Sequence, residues 1–330
     1  MIVFGTTQSG KTVHKITLRA GDLTVSLLTW GAVIQDLRLH GVDRPLTLGS
    51  VNLADYEGDM RHHGALIGPV VNRISNARAR VDGMMYELER NENGSVHLHS
   101  GAQGTHLQVW EVAEVTDSSA TLTIDLPDGI CGLPGNRHVS VTYTLTAPAN
   151  LTMHVTGTTD ATTLMNFANH SYWNLDGSDC WTGHQLQIAV DRYLPSTAGN
   201  FPTGEIADVT GTDMDFRQPR AIAPGAPLLD HNFCLSDQRS ALRDVLWLTG
   251  QSGVSLTMAT TEPGMQVFDG RPGYQALALE AQHWPDAPNN HGFPPITLRP
   301  GETYRQTTEW RFAAGISRPA RGPSGNLAPG

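Results

Sequence analysis

An all-β protein built from packed antiparallel sheets, as a sandwich or barrel, is the fold class the sequence predicts. Three observations carry it. Apolar and polar residues alternate in many short runs, turn residues separate those runs, and no stripe of 3.6-residue period is sustained. The first element in chain order is a test case, because Gly5-Thr-Thr-Gln-Ser-Gly-Lys-Thr12 fits the phosphate-loop pattern GxxxxGK[ST] letter for letter. That chemistry needs a strand leading in and a helix starting at the lysine, whose free N–H groups hold phosphate. Only four residues precede the motif, and Val13-His-Lys-Ile-Thr-Leu18 after it has strand composition. The segment is therefore read as a hairpin turn.

Further along, Leu122–Leu126, Val139–Leu145, Leu151–Val155, Leu186–Val190 and Val254–Met258 alternate with period 2 and read as half-buried strands. Turn signals lie between them at Asp82-Gly83, Asn93-Gly94, Asp128-Gly129, Gly250–Gly253 and Pro300-Gly301. The best helical candidate, Arg239–Leu248, reads equally well as a strand entering a hairpin at Asp244–Leu248. No repeat or internal linker divides the chain. Residues 1–316 are read as one domain, and Ser317–Gly330, rich in Pro and Gly, as a flexible tail.

The 330 residues carry a net charge of −10. Such an excess of carboxylates repels phosphate backbones and anionic lipid, which argues against nucleic-acid and membrane partners. A chain this long can bury a large core without disulfides or a structural metal. Cys131, Cys180 and Cys234 are scattered and odd in number, which fits reduced thiols. With no visible secretory signal and no apolar run of spanning length, the expected location is the cytoplasm.

Titratable residues inside apolar or aromatic strings are the candidates for chemistry. His170 lies in Asn166-Phe-Ala-Asn-His-Ser-Tyr-Trp-Asn174, and Glu280 and Gln282 share one face of a strand in Leu277–Pro285. The same alternation is expected to put His97 and His99 on one face. Arg73 follows Asn72 after an apolar segment, and Asp230 sits between Leu229 and Phe233. Each has an ordinary reading too: a hydrogen-bonded core histidine, a glutamate facing solvent, an arginine paired with a structural carboxylate. Together they are what a neutral, hydroxyl-rich ligand needs, with Trp173, Phe268 and Trp284 as stacking faces. A metal centre built from His62, His63, His97, His99 and His106 lacks a carboxylate at matched spacing, so no metal ligand is assigned.

These strings resemble the aldose 1-epimerase, or galactose mutarotase, family from about Phe4 to Phe312. Asn72-Arg73-Ile-Ser-Asn76, Leu98-His99-Ser-Gly101, Asn169-His-Ser-Tyr-Trp-Asn-Leu175, Thr260–Gln266 and Glu280–Asn289 are similar to family motifs and occur in family order. The resemblance implies a β-supersandwich and interconversion of the α and β anomers of a free aldose, without a cofactor, by a monomer or homodimer. By matched position, Glu280 is the general base, His170 the general acid, and His99 assists near the ring oxygen. Asn72, Arg73, Asp230, Gln282 and Trp173 hold the sugar. An anionic Glu280 facing His170 across the ring is expected to favour the imidazolium. Gly68-Pro-Val-Val71, Ser100, Ala281 and Asp269 depart from the family pattern, which puts the preferred sugar in doubt. Two alternatives stay open: a relative acting on a modified or phosphorylated sugar, with Arg61, Arg78 or Arg271 as the added cation, and a non-catalytic carbohydrate-binding protein.

Overall fold

A computed structural model describes residues 1–315; the expected tail at Ser317–Gly330 lies outside the described residues. Large antiparallel sheets dominate, and the α-helix Leu53–Glu57 is five residues long. The largest sheet has nine strands. Its centre runs from Ser119–Leu126 through Arg137–Thr146 and Asn150–Thr159 to Tyr304–Ala313 and Ser255–Thr260. Alternation decides which face is inside: Val139, Val141, Tyr143 and Leu145 are each at most 2% exposed, while the residues between them face outward. Each apolar side chain so buried stabilises the fold by about 1.5–3 kcal/mol.

The five predicted strands all lie within or overlap observed ones. The ambiguous Arg239–Leu248 segment resolves as the strand Arg243–Thr249, which pairs antiparallel with Ser255–Thr260. The apparent phosphate loop is a hairpin: Ile2–Thr6 pairs antiparallel with Thr12–Ala20, and the Thr7 N–H donates to the Lys11 carbonyl. Gly10, at φ 83°, makes that turn accessible. No helix begins at Lys11.

A six-stranded sheet positions the site. Its order is Tyr172–Trp173, Leu277–Gln282, Gly264–Phe268, Asp230–Cys234, Arg192–Leu194, Ala207–Asp208. The strand Leu277–Gln282 is buried at every residue. Leu277, Leu279 and Ala281 join the main core together with side chains of the nine-stranded sheet. Ala278, Glu280 and Gln282 point the other way. That second face is covered rather than solvated, with the pairs Arg73–Ile74/His97–Leu98 and Leu66–Ile67/Ala168–Asn169 alongside.

Candidate functional site

Register explains why Glu280 and His170 meet. Tyr172 pairs antiparallel with Ala278 and Trp173 with Leu277. Continuing that register by two residues brings His170 opposite Glu280. Their side chains close to 3.5 Å, His170 Nε2 to Glu280 Oε1, with both residues at most 4% exposed. The next strand over contributes Gln266, the cross-strand partner of Glu280, and the strand beyond it carries Asn232 opposite Gln266. Asp230 sits opposite Phe268. One sheet face thus presents a row of polar groups, most of them buried.

Facing this row, Asn72 and His99 are held by two reciprocal bonds. The His99 N–H donates to the Asn72 carbonyl, and the Asn72 N–H donates to His99 Nδ1 at 3.1 Å. Since Nδ1 accepts, a neutral His99 carries its proton on Nε2 and offers a donor. Both residues have left-handed backbones, at φ 67° and φ 54°, and Ser100 follows at φ 64°. Left-handed non-glycine residues cost about 1 kcal/mol or more each and gather where a site imposes them. The Ser100 hydroxyl donates to the Val70 carbonyl at 3.0 Å and accepts from the Val70 N–H at 2.8 Å. This family departure therefore pins the loop to the altered Gly68–Val71 segment.

Arg73 is gripped by Glu92, with Nε at 2.7 Å and an Nη at 2.9 Å from the two carboxylate oxygens. It also lies 3.5 Å from Asp230, which accepts a 2.7 Å bond from Gln266 Nε2. His62, Asn72, Arg73, Leu98, His99, His170, Tyr172, Asp230, Phe268 and Glu280 enclose a cavity of about 140 Å³. That is room for several waters, or for one small hydroxylated ligand.

Burial sets the protonation. It pushes Glu280 up to about 8, with Asp230 adding to the rise and Arg73 opposing it. Burial also holds His170 well below its usual value, helped by the neighbouring His62 and His63. The pair therefore holds one proton at neutral pH, on the carboxyl, and His170 is neutral. Burial penalises the charge on both groups, which disfavours the expected pairing of an anionic Glu280 with a charged His170. They are neighbours on one side of the cavity, not partners across it. Arg73 stays charged: burial opposes its charge, but the Glu92 hydrogen bonds and the nearby Asp230 more than offset it.

Four sequence expectations are displaced. Trp173 is fully buried in the core against Trp310 and Phe312, because its neighbour Tyr172 takes the cavity face of the same strand. Gln282 shares the face of Glu280 but lies a further pair along, opposite Gly264 and outside the cavity lining. Gln266, the partner of Glu280 across the sheet, instead reaches the site through its bond to Asp230. His97 and His99 do not share a face, since the strand ends at Leu98 and His99 turns left-handed; His97 Nδ1 instead meets the Glu89 carbonyl at 2.8 Å. Trp284 is also away from the cavity, packed edge-on against Phe293. Asn72, Arg73, His99, His170, Asp230, Phe268 and Glu280 do come together. Sequence reasoning passed over Tyr172, Gln266 and Glu92 as site residues; Gln266 was visible as the one polar residue in Met265-Gln-Val-Phe268.

The chain matches the family model described as aldose 1-epimerase over residues 14–311. It belongs to the aldose 1-epimerase family. Galactose mutarotase of Rattus norvegicus is 35% identical, with 94% of this chain and 97% of that protein covered. Aldose 1-epimerase of Escherichia coli (strain K12) is 31% identical, covering 92% and 96%. Among solved structures, an aldose epimerase homologue from C. elegans superposes with a TM-score of 0.86 at 28% identity, covering 92% of this chain and 100% of that one. Galactose 1-epimerase from Lactobacillus acidophilus NCFM gives 0.82 at 26%, covering 96% and 98%. The fold is thus galactose mutarotase-like, the β-supersandwich expected. As an aldose 1-epimerase family member, this chain is an isomerase of the epimerase class. No helix among the described residues is long and apolar enough to cross a membrane.

Proposed function

We propose that this epimerase interconverts the α and β anomers of a free, uncharged aldose by ring opening and reclosure, with Glu280 and His170 as the proton-transferring pair. The 3.5 Å contact between them, inside a cavity lined with polar groups, carries this reading. The two oxygens of a hemiacetal are bonded to one carbon, so a base for the C1 hydroxyl and an acid for the ring oxygen must themselves be neighbours. The pair's single proton moves from Glu280 to His170 as substrate binds. Glu280 then takes the C1 hydroxyl proton while His170 protonates O5, and the C1–O5 bond breaks. Rotation about C1–C2 turns the aldehyde over, and reversed transfers close the ring on its other face. Each positioned proton transfer contributes about 10²–10⁴-fold.

His99 Nε2–H supports the ring oxygen side. Arg73, oriented by Glu92, and Asp230, oriented by Gln266, hold hydroxyls, and Asn72 fixes both His99 and the start of the Arg73 strand. The balance of charge favours a neutral sugar over a phosphorylated one. Arg271 is committed to Asp269 at 2.8 Å and Arg78 to Glu87 at 2.7 Å, while Arg61 lines a neighbouring cavity that also contains Glu89 and Glu92. The three free thiols suit a cytoplasmic enzyme. Residues 1–316 act as one domain, as a monomer or homodimer, without nucleic-acid or membrane partners. Polarimetry of freshly dissolved α-glucose, α-galactose and glucose 6-phosphate tests the reading: acceleration of the free sugars above the phosphate is expected. A rate equal to the uncatalysed one for every sugar overturns it.

A further inference from the structure

Beside the sugar cavity lies a second one of about 270 Å³, lined in part by Arg61, Glu89, Asn91 and His106. Only His62, Leu98 and His99 line both. Leu98 offers no hydrogen bond, and His99 has one ring nitrogen committed to Asn72. His99 keeps only Nε2–H for the ring oxygen, whereas neither ring nitrogen of His62 hydrogen-bonds another of the described residues, so both of its ring positions can meet a ligand. Its ring centroid stands 5.6 Å from His170, 4.9 Å from His99 and 5.2 Å from His106. Burial lowers His62 to about 4, with Arg61 and His63 adding to the fall, so the ring is neutral at physiological pH. A neutral imidazole offers one donor and one acceptor, the complement of a hydroxyl group.

Which hydroxyl it meets follows from the chemistry of a pyranose, and this step rests on the aldose reading above. The ring oxygen is bonded to C1 and C5 only. With the C1 hydroxyl at Glu280 and O5 at His170, C5 lies on the side of His170 away from Glu280. The charged groups that act on Glu280 are Asp230 and Arg73, whereas His170 is flanked by the imidazoles of His62, at 5.6 Å between ring centroids, and His99, at 5.4 Å. We propose that His62 reads the substituent on C5, hydrogen-bonding the hydroxymethyl group of an aldohexose, and so sets a preference for aldohexoses over aldopentoses, which carry only hydrogen there. The second cavity behind His62 leaves room for that substituent to extend.

The test compares α-glucose, α-xylose and α-6-deoxyglucose, which share their ring hydroxyls and differ only at C5. Anomerisation rates are measured for the unmodified enzyme, His62→Phe and His62→Gln, with melting temperatures recorded alongside. Losing one neutral hydrogen bond, His62→Phe falls about ten-fold in kcat/KM on glucose, through KM, and stays within about two-fold on xylose and 6-deoxyglucose. His62→Gln, which keeps a donor and an acceptor, recovers most of the glucose rate. Equal losses on glucose and xylose, or no loss on either, overturn the assignment. If His62→Phe does not fold, His62→Leu carries the same comparison. An unmodified enzyme that accelerates none of the three sinks the aldose reading itself, whereas a failure confined to the variants sinks only the role of His62.

Discussion

Replacing Glu280 by Gln should cost activity and raise stability, and both magnitudes follow from its burial. Gln keeps the shape of Glu at a site that is 2% exposed, so the strand and cavity persist. The variant cannot take up or release a proton, which removes about 10²–10⁴-fold in kcat. The stability change comes from linkage. Glu280 titrates near 8 in the folded protein against 4.5 in an ordinary environment. Between those values the folded state binds more protons than the unfolded chain, so stability falls as pH rises through this window. At pH 7 the cost is about 3 kcal/mol, from 1.36 kcal/mol per unit over the interval between 4.5 and 7. Glu280→Gln removes it, raising Tm by on the order of 5 °C at pH 7. Below pH 4, where the carboxyl is protonated in both states, the gain disappears. Differential scanning calorimetry of both proteins at pH 4 and pH 7 measures it. A variant no more stable at pH 7 than at pH 4, relative to its parent, refutes the claim that Glu280 is held protonated by burial.

The same proton accounting predicts that kcat/KM is level near neutral pH and falls above about 8, as the Glu280–His170 pair loses its one proton; a pH–rate profile checks this, and a profile still rising at pH 9 contradicts it. Glu92→Gln loosens Arg73 without touching the reacting pair, so KM rises about ten-fold while kcat changes little, as expected for one charge-assisted bond. Trp173→Ala removes a core side chain that does not line the cavity, lowering stability by about 3–5 kcal/mol in a urea melt while the folded enzyme keeps its KM.

Fold class was legible because the rule that sorts residues in a strand is local. Val139–Leu145 and Leu151–Val155 show their buried faces in every second residue, whatever they pair with. The hairpin at Gly5–Thr12 was legible for the same reason: strand composition after Lys11 denies the helix that a phosphate loop requires. The site was legible where a polar side chain interrupts an apolar run, as at Glu280, Arg73 and Asp230. What remained hidden depends on registration between distant strands. Whether Tyr172 or Trp173 faces the cavity is decided by pairing with Leu277 and Ala278, and both are large aromatics. Gln282 and Glu280 share a face, yet the cavity ends before Gln282, a limit set by neighbouring strands. His99 left the alternating pattern through a left-handed backbone that nothing in His97-Leu-His99 announces. The protonation of Glu280 could not be read either, since it reflects how completely remote segments exclude water.

The central claim is that Glu280 and His170 act as one unit on the two oxygens of a single hemiacetal carbon. A double-mutant cycle on anomerisation, with Glu280→Gln, His170→Asn and both together, measures that coupling most directly. Acting as a unit, either single change loses nearly the whole of what the double change loses. Losses that multiply, with the double variant slower by the product of the two single effects, would mean that the side chains serve separate events.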